Sequence, residues 1–371
     1  MKLILIMIIS ALPLSGNADV KISENSNNTI VTVTNNDEQI PNQEEEEDGE
    51  VEELIPTVVT NPVSYFETKD SFKNTMAKAT TTANPSLPSF YLMTNHSTTT
   101  KVMSTVNTTP IFWGASWANP TLASDKITGL VSFYSNINTS TYKSTVSEYT
   151  TLNHRYITSL LDTTTIASSD IVTVANKVCN LLTANNSIDA NGYYPVYTDL
   201  PRNGAGFCGY HSAAVCNGTT IQYAFFFNVN DDVGCDPAST FAPPAGSVGS
   251  QKPGTGTTVA SKASLYQQSQ GLAALANISA HELMETVTDP WYVPPTGTGY
   301  YAGWYDSIGW ENGDKCAWTF GPSKTKLAAG TVVVGNMDWK LQGQWSNKAL
   351  TAKTGYTTSS PIKMNGCVTG S

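Results

Sequence analysis

Six cysteines, Cys179, Cys208, Cys216, Cys235, Cys316 and Cys367, follow what reads as an export leader, and together they restrict the fold more than any other feature. Met1-Lys2 precedes an apolar run over residues 3–12. Pro13, Ser15, Gly16 and Ala18 then lead into polar sequence, the pattern of a secretory signal peptide cut near Ala18. An even number of thiols carried into an oxidising compartment implies a disulfide framework. Sequence alone leaves the connectivity open, and some free buried thiols are the alternative. The expected pairing is a local Cys208–Cys216 clip, a Cys316–Cys367 tie for the C-terminal segment, and Cys179–Cys235. The leader is shorter than the ~20 apolar residues of a membrane helix, and no later segment reaches that length. Glycosylation sequons at Asn27, Asn95, Asn107, Asn138, Asn185, Asn217 and Asn277 fit a eukaryotic secretory route, although Asn and Thr are abundant here.

The formal net charge of −10 has a local source: residues 1–54 hold 12 of the 30 acidic residues and 2 of the 20 basic ones, leaving 18 of each beyond. The remainder is neutral, so no basic excess points to nucleic acid. Residues 19–84, rich in Asn, Thr, Glu and Pro and including the run Glu44-Glu45-Glu46-Glu47-Asp48, bury too little to offset ordering entropy. The reading is a signal peptide over 1–18, a disordered acidic spacer or pro-segment over 19–84, and one domain over 85–371.

Within that domain, residues 110–117 read as a strand, and Ile127, Leu130, Val131 and Tyr134 recur at helical spacing after Ser124-Asp125. A second helix is expected over 140–152 and a third after Ser169-Asp170. Residues 193–198 and 221–229 are aromatic and β-branched, hence strands. Residues 243–256, rich in Gly and Pro, form a loop. A long helix spans 264–288 before Pro290, and strands follow at 331–334 and 339–345, the latter weakened by Gly343. Helices and strands without regular βαβ repetition indicate an α+β domain with a mixed sheet.

The long helix carries the chemistry. In His281-Glu282-Leu283-Met284-Glu285, His281 and Glu285 stand one turn apart on one face, where an imidazole nitrogen and a carboxylate oxygen can meet one ion. Leu272, Ala276, Leu283 and Val287 cluster on the opposite face, so the helix is expected to pack on a core and line a cleft. His-Glu-x-x-His supplies two zinc ligands and a water-activating Glu in metalloproteases; here Glu285 replaces the second His. Downstream, Glu311 and Asp314 are the preferred third ligands, with turn chemistry as Asp314's alternative role. Asp289, before Pro290, is expected to cap the helix rather than bind an ion. His281 makes calcium a poor fit.

These motifs carry a resemblance. His281-Glu282-Leu283-Met284-Glu285 with Thr288-Asp289-Pro290, Trp304-Tyr305-Asp306 and Glu311 to Trp318 resembles the C-terminal signature of Exordium (phosphate-induced protein) chains. Phe112-Trp113-Gly114, residues 133–140, Cys208-Gly209-Tyr210-His211-Ser212 and residues 223–228 are similar to that family's N-terminal half. The resemblance implies a secreted or wall-associated protein, known in plants for links to growth and phosphate response, and it leaves the activity open. Plant members often carry Asn where this chain has Asp289, which argues against Asp289 as a required ligand.

Two functions follow as expectations. One is a single zincin-like domain in which His281 and Glu285 bind zinc with Glu311 or Asp314 and Glu282 serves as general base for hydrolysis of an extracellular peptide. The other is a non-catalytic signalling module that binds cell-wall glycan through aromatic residues such as Trp304. His211 lines the same cleft as a substrate-orienting group or further ligand, or else serves a structural role beside the disulfides.

Overall fold

The computed structural model describes residues 18–25, 28–35, 57–58, 64–72, 74, 92–96, 101–237, 268–292, 300–301, 303–307, 309–321, 331–358 and 363–370. The leader, the acidic run and the 243–256 loop lie outside the described residues. Eleven strands of the described chain form one mixed sheet. In chain order they are β1 (Ala18–Asn25), β2 (Asn28–Asn35), β3 (Thr57–Val58), β4 (Ser64–Glu67), β5 (Thr105–Thr108), β6 (Ile111–Trp113), β7 (Asn153–Tyr156), β8 (Ser159–Asp162), β9 (Gly192–Pro201), β10 (Phe207–Cys216) and β11 (Thr219–Asn228). Their spatial order is β1-β2-β8-β6-β9-β11-β10-β3, with β4 also on β10 and β5 joining β9 to β7.

The sheet is parallel through its centre, where β9 pairs with β6 and β11, and antiparallel at β10, which takes β11 on one side and β3 and β4 on the other. Asn217 and Gly218, at φ 47° and 77°, form the two-residue β10–β11 turn. Two successive positive φ values match the twist of the hairpin, and the Asn-Gly pair tolerates them.

Three helices matter to the site: α1 (Lys126–Asn136), α2 (Ile171–Ala184) and α3 (Gln270–Thr288). Asp170 caps α2 through its bond from Thr173 N–H at 2.9 Å. Ser269 caps α3 at 3.2 Å and is itself held by Asp125, just before α1. The helix therefore starts several residues after the expected 264, and Gln268 and Ser269 are not helical. Gly129 on α1 admits α3, because a Cβ there would lie 2.3 Å from a Leu272 methyl. A hydroxyl chain ties these helices to the sheet: Tyr134 to Tyr197 at 2.8 Å and Tyr197 to Ser279 at 2.7 Å.

Every residue of α3 is buried. This corrects the picture of a helix with one core face and one cleft face: the sheet covers one side, and the segments around 311–318 and 337–342 cover the other. Residues 140–152 form not an α-helix but a 3₁₀ stretch, Thr141–Val146. The hydroxyls of Ser140 and Ser144 bond the carbonyls of Ile137 and Thr141, competing with regular α-helical turns. The expected 339–345 strand splits into Met337–Lys340 and Gln344–Trp345 around Gly343.

The folded chain also begins earlier than Pro85. Within the 19–84 segment, β4 pairs with β10 and fully buries Phe66.

Three disulfides are present: Cys179–Cys216, Cys208–Cys235 and Cys316–Cys367. The last is as expected, and the other two correct the anticipated pairing. Cys208 and Cys216 are the two ends of β10, and at ~3.3 Å per residue such a strand holds them roughly 26 Å apart. Cys216 instead meets α2 across the sheet. Three disulfides fit an oxidising compartment. No described helix is long and apolar enough to cross a membrane.

Candidate functional site

Alternation along β10 decides what faces α3. Gly209 lies against Ile278 of α3, whereas Cys216, odd-numbered steps away, bonds α2 on the opposite face. His211 shares the face of Gly209. Its Nδ1 is 3.0 Å from Glu282 Oε2 and 3.6 Å from Glu285 Oε2. On α3 itself, His281 Nε2 is 3.0 Å from Glu285 Oε2. The turn before Cys316 closes the group: Asp314 Oδ1 lies 3.7 Å from His281 Nε2, and Glu311 Oε2 lies 3.6 Å from His211 Nε2. Two imidazoles and four carboxylates therefore converge, and of these six side chains only that of Asp314, 21% exposed, reaches the surface to any extent.

A second layer orients them. Asp314 N–H donates to Glu285 Oε1 at 2.9 Å, which turns Oε2 toward the histidines. Gly313 is required beside it, since a Cβ there would lie 2.7 Å from both Glu285 Oε1 and His281 Nδ1. The Gln342 amide is 2.9 Å from His281 Nδ1, donates to Gly313 O at 3.0 Å and accepts from Trp318 N–H at 3.2 Å. Gln342 thereby sets the ring tautomer. Its nitrogen against Nδ1 keeps the proton on Nε2, whereas its oxygen there would hold the proton on Nδ1 and free Nε2 for an ion. The bonds to Gly313 O and from Trp318 N–H fix the first arrangement, so an ion at Nε2 requires the amide to turn and give up both. The Phe66 ring stands edge-on to His281 at 4.4 Å, and Trp318 Nε1–H donates to Glu67 O, so β4 walls the site.

Burial governs the charge states. Desolvation pushes His211 down to about 3, helped by His281, and His281 down to about 4, so both rings are neutral. Burial first, and mutual repulsion second, hold the carboxyls of Glu282, Glu311 and Asp314 well above the usual carboxylate range, and burial alone raises Glu285. Lys315, next to Asp314 in the chain, directs its ammonium to Asp306 at 2.5 Å and over the Trp345 ring. His281 Nε2, Glu282 Oε1, Glu285 Oε2 and Glu311 Oε2 are buried and make no hydrogen bond to the described residues. Buried polar atoms are ordinarily satisfied, so this concentration asks for a cation.

The donor set suits one. Four-coordinate zinc with bonds of ~2.0–2.2 Å separates its ligand atoms by about 3.3–3.6 Å, close to the 3.0 and 3.7 Å found around His281 Nε2. Of the two expected third ligands, Asp314 joins His281 and Glu285, while Glu311 goes to His211. Asp289 Oδ1 accepts Gly303 N–H at 2.8 Å, which ties the end of α3 to the segment at 303. Trp304 packs on Tyr149 with ring centroids 5.2 Å apart, in a small cluster by Cys316–Cys367 rather than among the histidines and acids. Gln342 and Phe66 were not anticipated: each is a single residue whose role arises from a distant neighbour, with no local signal.

Asn277 supplies an independent check. Its side chain is fully buried one turn before His281, and its Oδ1 accepts Gln342 N–H at 2.8 Å. Peptide mapping of the protein expressed through a eukaryotic secretory route should find Asn277 unmodified; full occupancy would mean this region folds otherwise.

No protein-family model matches the chain, and neither a curated protein nor a solved structure matches it. Its class is therefore defined by its own chemistry: a disulfide-bonded α+β protein with a buried histidine–carboxylate cluster.

Proposed function

We propose that this chain is a secreted, Exordium-type metalloprotein with a zincin-like centre, binding zinc through His281, Glu285 and Asp314 and hydrolysing extracellular peptide with Glu282 as general base. The observation that supports it is the convergence of His281 Nε2, Glu285 Oε2 and Asp314 Oδ1 at ligand-to-ligand spacings, with the first two lacking any hydrogen bond to the described residues. A bound zinc ion supplies Lewis acidity at this point. The protein does the rest. Gln342 holds the His281 ring, the Asp314 backbone orients Glu285, and Glu282, one position along α3 from His281, offers a raised carboxyl for proton transfer. The glycan-binding alternative has less support, since Trp304 is packed on Tyr149 and Trp318 is buried against Phe66.

The test is metal analysis of protein purified without chelators. At least one equivalent of zinc is expected, falling when Asp314 is replaced by Ala and persisting in Glu311→Ala. A wild-type protein that takes up no zinc would remove the proposal.

Binding should depend on pH with a definite sign. The raised carboxyls make the metal-free fold less stable as pH climbs above the ordinary carboxylate value, because ionised acids are confined together. The depressed histidines act oppositely, and their contribution is lost as pH falls from 6.5 toward about 4 and then about 3. Zinc must displace protons from the acids, so its stabilisation of the fold grows with pH. Thermal melts should show a larger zinc-induced rise at pH 8 than at pH 6; an equal rise would contradict these ligands.

A further inference from the structure

We propose that the cluster holds two divalent cations, the second bound by His211, Glu282 and Glu285, with Glu285 shared between the ions. The first ion rests on the proposed function; the second has grounds of its own. His211 Nδ1 lies 3.0 Å from Glu282 Oε2 and 3.6 Å from Glu285 Oε2, the same spacing that surrounds His281. Each triplet, His211 with Glu282 and Glu285 and His281 with Glu285 and Asp314, brings one ligand atom per residue within 4.8 Å of the others. Glu285 Oε2 lies between the two imidazoles, buried and without a hydrogen bond to the described residues, while its Oε1 is held by Asp314 N–H. Glu282 is fully buried, and its Oε1 also lacks a hydrogen bond.

Charge balance points the same way. Four carboxylates and two neutral imidazoles carry four negative charges when ionised. One divalent ion leaves two of them unmatched in a buried site, and two ions match all four. Glu311 lies behind the second site, its Oε2 3.6 Å from His211 Nε2, and adds to the negative charge that a second ion would offset.

The consequence concerns the base. An ion on Glu282 occupies the carboxylate that would take the proton, so the second ion silences hydrolysis while the first supports it. Zinc in excess of one equivalent then acts as an inhibitor of the same centre.

The experiment is stoichiometry on the full chain, stripped by chelator, reloaded with zinc or manganese(II) and freed of excess by gel filtration. Two equivalents are expected for the wild type and one for His211→Ala. Glu282→Gln, which keeps side-chain volume, should also retain one and guards against a folding failure in the histidine variant. Loaded with manganese, the wild type should give an exchange-coupled electron paramagnetic resonance spectrum and either variant an isolated-ion spectrum. One equivalent in the wild type with one in His211→Ala overturns the second site and leaves the first. Two equivalents in both proteins, or two uncoupled ions in the wild type, also overturn it, and no binding at all removes both readings.

Discussion

Glu282→Gln is expected to lower peptide hydrolysis by about 10²- to 10⁴-fold, the usual contribution of a positioned general base. The substitution keeps the shape of a fully buried side chain and an oxygen for the bond with His211 Nδ1, 3.0 Å away. What it removes is the capacity to accept a proton. Zinc in the His281–Glu285–Asp314 site should be retained, because Glu282 is not among those ligands. Turnover of an unstructured protein substrate, measured at one equivalent of zinc alongside metal content, separates the two effects. Equal turnover by mutant and wild type would show that Glu282 is not the base.

Glu285→Ala should weaken zinc binding by about 10²- to 10³-fold. Apparent zinc-binding energies of roughly 10–16 kcal/mol divided among three or four ligands give about 3–4 kcal/mol for each. Glu285 is the member on which the others depend: its Oε2 faces both histidines and its Oε1 holds the 313–314 turn through Asp314 N–H. The same change leaves Asp314 N–H without its acceptor, so the metal-free protein should also melt lower, while the zinc-induced rise in melting temperature largely disappears. A chelator competition measures the affinity. Unchanged affinity would place the ion elsewhere or nowhere.

Much of the architecture was legible beforehand. The Ser169-Asp170 start signal marked α2, and the aromatic run at residues 221–229 marked β11. The long helix was readable too, with His281 and Glu285 in phase on it. The strand that completes the site was not. β10 reads Phe-Cys-Gly-Tyr-His-Ser-Ala-Ala-Val-Cys, small residues without alternation, because it is covered on both faces, by α3 and α2. A strand buried twice has no polar side to betray its period. β4 escaped for another reason: four residues inside an Asn- and Thr-rich stretch are too few to show periodicity.

By itself, then, the sequence determined the α+β composition, the long helix with its imidazole and carboxylates in phase, and the local origin of the acidity, since each depends on neighbours within a few turns or on simple counting. Only the tertiary structure decided that His211 faces Glu282, that Asp314 rather than Glu311 reaches His281, that Gln342 sets the tautomer, and that Cys179 and Cys208 bond Cys216 and Cys235. These depend on strand parity and on which segments cross α3, and a one-residue change of register reverses every side chain on a strand without altering its local propensity.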